Sequence, residues 1–369
     1  MIPVNVPRLI GREKEYLIEC IETGWISSEG PFVTRFENEF STYIGRKNGI
    51  AVANGSAALD VAVRAMNLEK GSEVIVPTFT IISPVQSLVK EGLIPVLVDV
   101  DPETFNMDVS AIEDKITDKT AAILVVHIYG FPVDMDPVIE MASKYELRII
   151  EDAAEMHGQE YKGRKCGSFG DISVFSFYPN KHITTGEGGM ILTDDDDLAE
   201  RCRQLKNLCF IPARRFVHEE FGWNYRMTNL QAALGVAQLE QIDSVIKRKR
   251  EIGNRYSQNL KGISRVKLPA VKNSYAQNIY WVYALVAESE ELCDHIQSEL
   301  KKHKIGTRPF FWCMHEQPVF QKMGFFKNES YPHAEKIARN GFYIPAGLGI
   351  SDAEIDIVSE KIREIITNG

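Results

Sequence analysis

The stretch Ile172-Ser-Val-Phe-Ser-Phe-Tyr-Pro-Asn-Lys-His-Ile-Thr-Thr-Gly-Glu-Gly-Gly-Met-Ile-Leu192 reads as a strand, a loop with a glycine turn, and a second strand. Its ends, Ile172–Phe177 and Met190–Leu192, are short and apolar, with the β-branched and aromatic residues that strands favour. Between them stands a single lysine, Lys181. A lysine held at a sheet edge and facing a pocket is the residue type that forms a Schiff base with a carbonyl cofactor. Taken alone, the same lysine reads as an ordinary solvated surface residue. The turn Gly186-Glu-Gly-Gly189 lacks GxGxxG spacing, so it reads as a tight reversal behind the lysine, not a nucleotide loop.

Outward from this stretch the same grammar repeats. Short runs rich in Val and Ile recur at Ile50–Ala53, Val74–Pro77, Pro95–Val98, Ala121–Ile128 and Leu147–Ile150. Segments of helical period separate them, such as Ala57-Leu59-Val63-Met66 and Val138-Met141-Ala142-Tyr145. Wholly apolar strands alternating with helices predict an α/β fold with a mostly parallel sheet covered on both faces, about seven strands within residues 50–192. Asp194–Asp197 reads as a polar turn and helix start. A capping box at Thr228-x-x-Gln231 opens a helix with Leu230, Ala233, Leu234 and Ala237 on one face. That helix is expected to run on through Lys247-Arg-Lys-Arg250, read as a solvated face. Beyond about residue 255 the pattern becomes a smaller α/β unit with strand-like Tyr280–Val286, ending in a helix capped at Ser351-x-x-Glu354. The expected division is residues 1–250 and 251–369.

Composition bounds the function. The chain has 369 residues, 44% apolar and 25% charged, as an ordinary soluble enzyme has. A net charge of −9 argues against nucleic acid or an anionic membrane as partner, though a local cationic pocket could hold a phosphorylated ligand. The six cysteines form no CxxC pair, and no secretory pattern opens the chain, so a cytoplasmic protein with reduced thiols is expected. No apolar run approaches a membrane span. There is no HExxH, no metal-ligand cluster, no GxSxG elbow and no Walker A lysine.

Two further segments bear on Lys181. Leu147-Arg-Ile-Ile-Glu-Asp-Ala-Ala154 is a strand ending in two acids, and ligands of open α/β sheets bind beyond the carboxyl ends of strands. A carboxylate buried there needs a cationic partner, which a protonated pyridine nitrogen would supply. By itself, Asp152 reads as a capping acid on a following helix. Asn54-Gly-Ser-Ala-Ala-Leu59 is a small-residue turn entering a helix, where free N–H groups and the dipole can hold a phosphate. Gly-Ser is also an ordinary helix cap. Ser176, on the face shared with Val174, could add a hydroxyl to the cup. A phosphate cup, an acid for a pyridinium and a lysine for an aldehyde are the three anchors that pyridoxal phosphate requires.

With these pieces in place the chain resembles the DegT/DnrJ/EryC1/StrS sugar aminotransferases, of the aspartate aminotransferase fold (type I), over essentially its whole length. The resemblance includes Gly24-Trp-Ile-Ser-Ser-Glu-Gly-Pro31, Asn54-Gly-Ser-Ala-Ala58, Glu73-Val-Ile-Val-Pro-Thr-Phe-Thr80, His127-Ile-Tyr-Gly130, Glu151-Asp-Ala-Ala-Glu155, the lysine run and Asn224-Tyr-Arg-Met-Thr-Asn229. Within the family it is most similar to members acting on GDP-4-keto-6-deoxymannose, chiefly through the lysine run, Asn224–Asn229 and Arg308-Pro-Phe-Phe311 followed by His315.

The resemblance implies roles. Lys181 would hold the cofactor and shuttle protons, and Asp152 would pair with the pyridinium. Gly55, Ser56 and Ser176 would bind the phosphate, and Glu155 would lie near the ring hydroxyl. Asn224 would reach the phosphate in the neighbouring subunit, making a homodimer the minimum active unit. Trp25 and His315 would contact the sugar nucleotide, with a packing histidine as the other reading of His315. L-glutamate would be the donor, with pyridoxamine phosphate formed between two half-reactions. Two departures bear on the sugar: Ile81 stands where many relatives have an aromatic residue, and Trp312-Cys-Met-His-Glu-Gln-Pro318 differs in detail. The base could instead be thymine or uracil, and the amine could enter at C3. A dehydratase with histidine for lysine is disfavoured because Lys181 is present. A non-catalytic regulator is disfavoured by the acidic balance and the lack of a DNA-binding segment.

Overall fold

The computed structural model describes residues 1–211 and 213–368. Each of the seven apolar runs is a strand of one sheet: β1 (Asn48–Val52), β2 (Glu73–Pro77), β3 (Ile94–Val98), β4 (Thr120–Val126), β5 (Arg148–Asp152), β6 (Ile172–Ser176) and β7 (Gly189–Thr193). Their order is β1-β7-β6-β5-β4-β2-β3. The ladders are parallel except at β7, which runs antiparallel to both β1 and β6. Successive residues feed opposite cores, as the two-residue period of a strand demands. Ile172 and Val174 join Val52, Val76 and Leu124 on one side, while Phe175 joins Ala51, Ile75 and Val125 on the other.

Helices cover both faces: α1 (Glu13–Thr23), α2 (Pro31–Ile44), α3 (Gly55–Ala65), α4 (Ser83–Lys90), α5 (Met135–Lys144), α6 (Asp196–Lys206), α7 (Asn229–Leu239) and α8 (Ile242–Asn259). Apolar residues of α3, α4 and α6 pack on the Val174 side, and those of α1, α2, α5 and α7 on the Phe175 side. This is the two-sided burial that wholly apolar strands imply. Asp195 caps α6 by accepting from the Leu198 N–H at 3.0 Å.

A second, antiparallel sheet contains β8 (Val266–Lys267), β9 (Tyr283–Ala287), β10 (Arg308–Pro309) and β11 (Gly341–Ile344), in the order β8-β9-β11-β10. Ile252 and Tyr256 of α8 pack with Leu285 and Phe342 in its core. The helices α9 (Glu290–Lys302), α10 (Pro318–Lys322), α11 (Pro332–Asn340) and α12 (Asp352–Asn368) complete this part.

Both capping boxes form. Thr228 and Gln231 satisfy each other's N–H groups at 3.2 and 2.9 Å, and Ser351 and Glu354 do so at 3.3 and 2.9 Å. Three local expectations fail. The helix opened by Thr228 does not continue through the basic run: α7 ends at Leu239 and α8 begins at Ile242. At the break Glu240 turns to accept from the Tyr16 hydroxyl and the Arg35 guanidinium, at 2.6 and 2.9 Å. The run Lys247–Arg250 is not uniformly solvated, since Lys249 falls on the buried stripe of α8 with Val245, Ile246 and Ile252. The ladder entered by Tyr280–Val286 starts later, at Tyr283, because Tyr280 adopts φ +52° and breaks the extension. Among the described residues, no helix is long and apolar enough to cross a membrane.

Candidate active site

The carboxyl ends of β5 and β6 lie side by side, with Asp152 paired to Val174, so Asp152 shares a face with Val174 and Ser176. No helix follows Asp152; the chain passes through a loop to a short hairpin at Glu160–Tyr161 and Arg164–Lys165. The capping alternative for Asp152 therefore falls away. Instead Asp152 accepts the Ala154 N–H at 3.0 Å and lines a cavity of about 620 Å³. The same cavity is lined by Asn54, Gly55, Ser56, Glu155, Ser176 and Lys181. Three segments far apart in sequence thus meet at the carboxyl ends of the sheet's central strands.

The phosphate-cup turn is built as a helix entry. Asn54 caps α3 by accepting the Ala57 N–H at 2.8 Å. Ser56 shares a 2.7 Å hydrogen bond with Ser83 at the start of α4. A Cβ on Gly55 would stand 2.8 Å from Cβ of Ser176, so only glycine lets the α3 entry close onto β6. Gly189, at the start of β7, similarly leaves room for the Asn54 carbonyl, which a Cβ would meet at 2.4 Å.

Burial sets the electrostatics. Desolvation pushes the Asp152 carboxyl up to about 6, against the pull of the Ala154 N–H and Lys181. Burial also lowers the Lys181 ammonium, opposed by Glu155 and Asp152. Lys181 Nζ lies 3.9 Å from Glu155 Oε1 and 4.0 Å from the centroid of the Trp281 ring. Desolvation raises the Glu155 carboxyl, whose other oxygen accepts the Tyr129 N–H at 2.6 Å. The amine therefore sits beside an acid that burial pushes up, and burial also lowers the amine itself, a setting in which it can be a base. A buried carboxylate with no arginine against it, a helix entry open to an anion and a desolvated amine match the pyridinium, phosphate and aldehyde of pyridoxal phosphate. The residues present fit that cofactor.

The remaining expected residues lie elsewhere. His315 is buried away from the cavity lining, with Nδ1 2.8 Å from the Thr78 hydroxyl and Nε2 3.2 Å from Glu335. Its two ring nitrogens are occupied, as in a packing histidine. Trp25 is half exposed and outside the cavity, and its carbonyl accepts from the Asn229 amide at 2.7 Å. Asn224 is exposed and bridged to Asn207. Ile81, also half exposed, lines the cavity where an aromatic residue was the norm of the resemblance.

Sequence reasoning missed the far wall. Trp281, Phe311 and Tyr343 come from the second sheet and its approaches, and line the same cavity as those strand ends. Phe311 stood in the motif Arg308-Pro-Phe-Phe311 without a role, and Trp281 and Tyr343 were signalled only by their aromatic character. It also missed a node behind Asp152, where His127, Glu151 and Cys166 converge. There Glu151 accepts from His127 Nε2 at 3.0 Å and from the Gly167 and Phe169 N–H groups, while His127 Nδ1 accepts the Val133 N–H. With its acceptors already used, this cluster anchors the loop after β5.

Comparison with known proteins agrees with the geometry. A model described as the DegT/DnrJ/EryC1/StrS aminotransferase family matches residues 7–363. The chain is 41% identical over 367 residues to a GDP-perosamine synthase of Escherichia coli O157:H7, covering 100% of this chain and 99% of that one. It is 42% identical over 369 residues to a GDP-perosamine synthase of Caulobacter vibrioides, covering 99% and 98%. Among solved structures, a proposed sugar aminotransferase of Streptococcus pneumoniae, Spr1654 in its PLP form, superposes with a TM-score of 0.93 at 26% identity, covering 100% of this chain and 99% of that one.

Proposed function

The chain belongs to the DegT/DnrJ/EryC1/StrS aminotransferase family of pyridoxal phosphate enzymes, and from that premise we propose that it transfers the amine of L-glutamate to C4 of GDP-4-keto-6-deoxymannose, forming GDP-perosamine. That it is a sugar aminotransferase follows from the family; the particular sugar is the proposal. The observation that carries the chemistry is the meeting of Lys181, Asp152 and the α3 entry in one cavity. The choice of sugar is supported by full-length relatives, from Escherichia coli and Caulobacter vibrioides, that bear the name GDP-perosamine synthase.

Bound pyridoxal phosphate supplies an electron-withdrawing ring that stabilises negative charge at the amine-bearing carbon. The chain's residues do the rest. The first N–H groups of α3, with Ser56 and Ser176, hold the phosphate. Asp152, ionised, pairs with the ring nitrogen and keeps it protonated. Lys181 carries the cofactor at rest; once displaced, its neutral amine takes the proton from the donor's α-carbon and returns one to the sugar's former keto carbon. Trp281 and Phe311 exclude water from that exchange. We assign Glu155 to the ring hydroxyl. Two subunits form the working unit, Asn224 of each reaching the other's phosphate. Apolar side chains left exposed on one short segment, Ile21, Trp25 and Ile26, support such a homodimer.

The test is the visible absorbance of the dialysed enzyme. L-glutamate should bleach the band, and GDP-4-keto-6-deoxymannose should restore it. Restoration only by a dTDP- or UDP-linked keto sugar would move the assignment to another nucleotide. Ile81 gives that alternative its footing, and so does a dTDP-3-amino-3,6-dideoxy-alpha-D-galactopyranose transaminase from Aneurinibacillus thermoaerophilus, 35% identical over 344 residues.

A further inference from the structure

We infer that Lys249, on α8, is a positioning residue for Lys181 and acts through Trp281. The inference rests on the reading of Lys181 as the residue that carries the cofactor. Lys249 is only 3% exposed, in the middle of a run whose other cations had suggested solvent. Nothing acidic balances it: burial alone acts on its ammonium, lowering it to about 7. Its Nζ donates instead to two carbonyls, Trp281 O at 3.0 Å and Ala346 O at 2.6 Å. A buried amine without an acid is costly, and a methionine would fill the same space without that cost. What lysine adds is a pair of N–H groups aimed at two separate segments, one entering β9 and one leaving β11. Neutral or charged, the amine keeps both donors.

The carbonyl it holds belongs to the residue that walls Lys181. The Trp281 ring centroid is 4.0 Å from Lys181 Nζ, and its indole N–H donates to the Asn180 carbonyl at 2.9 Å. The ring stacks on Tyr129, with centroids 5.8 Å apart and planes 28° apart. The backbone leading into Trp281 is constrained. Tyr280 is held at φ +52° with its N–H on Asn278 Oδ1 at 2.6 Å, and a Cβ on Gly130 would meet the Trp281 nitrogen at 2.6 Å. Such backbone geometry persists only where its surroundings over-determine it. Lys249 also lies at a crossing point along α8. Ile242 and Ile246 before it pack in the core of the large sheet, and Ile252 and Tyr256 after it pack in the core of the small one. One helix thus fixes, through one amine, where the small sheet presents its indole to the amine of Lys181.

The test uses the loaded enzyme and reads the pH midpoint of its visible band, which reports the charge on the Lys181 nitrogen. Lys249→Met removes the donors and keeps the volume; Lys249→Gln restores an N–H₂ group on a shorter stem. Trp281→Leu removes the wall. We expect Lys249→Met and Trp281→Leu to move the midpoint in the same direction by about half a pH unit or more, as loss of a cation–π contact would. Lys249→Gln should recover part of the shift. The double variant should match Trp281→Leu alone, because the two act in series. A Lys249→Met enzyme that melts earlier with an unmoved midpoint, or a double variant whose shifts add, would overturn the inference. Should Lys249→Met not fold, Lys249→Gln and its double with Trp281→Leu decide on the same criteria. A band that survives Lys181→Ala overturns the reading of Lys181, and this inference with it. A band lost in Lys181→Ala yet indifferent to Lys249 overturns the inference alone.

Discussion

An amine can act as a base only after giving up its proton, and at Lys181 burial supplies the push. Lys181→Ala should abolish turnover and the visible band together while leaving the fold intact, as circular dichroism would show. Asp152 is tuned the other way. Its carboxyl titrates near 3.8 unfolded and about 6 folded, so between those values the native state holds a proton that the unfolded chain has lost. Stability of the cofactor-free protein contributed by this group is therefore lost as pH rises from 3.8 to 6. Asp152→Asn should then stabilise the cofactor-free protein at pH 7 by about 1–3 kcal/mol, read by denaturant unfolding, while weakening cofactor retention. Lys249 gives a third titration. With a folded pKa of about 7 against 10.5 unfolded, it makes the protein more stable as pH rises through that window. Lys249→Met should flatten the rise by up to ~1.4 kcal/mol per pH unit. At this scale the sequence pointed to the acid through its place at a strand end and to the amine through the loop between two strands. It hid Lys249, because four consecutive cations read as solvent; the period Val245-Lys249-Ile252-Tyr256 carried the better signal. His315 was ambiguous because only the fold puts Thr78 and Glu335 against its two nitrogens.

Elements turn those side chains into a site. The α3 entry works because Gly55 lets it lie against β6, so Gly55→Ala must push Ser176 or the helix aside. We expect cofactor affinity to fall about tenfold, measured by titrating apoenzyme, with helix content unchanged. Thr228→Ala removes the cap of α7, a residue outside the cavity lining, and should cost about 1 kcal/mol of stability with little change in affinity. Strands were the most legible elements, since wholly apolar runs between helices have few alternatives. The break at Glu240 was not legible, because its cause is the pair of partners, Tyr16 and Arg35, that tertiary contact brings to it. The late start of β9 has the same origin: Asn278 and Gly130 hold Tyr280 out of the ladder.

At the scale of the whole molecule stands the proposed homodimer. Asn224 is exposed and outside the cavity lining of its own chain, which is what a residue serving a neighbour's site requires. Co-expressed Lys181→Ala and Asn224→Ala chains, each inactive alone, should form hybrid dimers with one intact site, recovering about a quarter of wild-type activity. Activity no greater than the two separate preparations would refute shared sites. The architecture was readable from the alternation of strands and helices, whereas the aromatic wall was not, since it depends on how the second sheet approaches the first. One consequence concerns the order of events in folding. β7 lies between β1 and β6, and Gly189 pairs with both Val52 and Ser176. The hairpin of β6 and β7 is local, but β1 can join it only by closing most of the intervening chain into a loop, a slow event of high contact order. Until that strand docks, the phosphate turn after β1 has no lysine opposite it. In refolding, the visible band should therefore lag the recovery of helix and sheet, so that capture of the cofactor marks the last stitch of the sheet and partly folded chains leave it free.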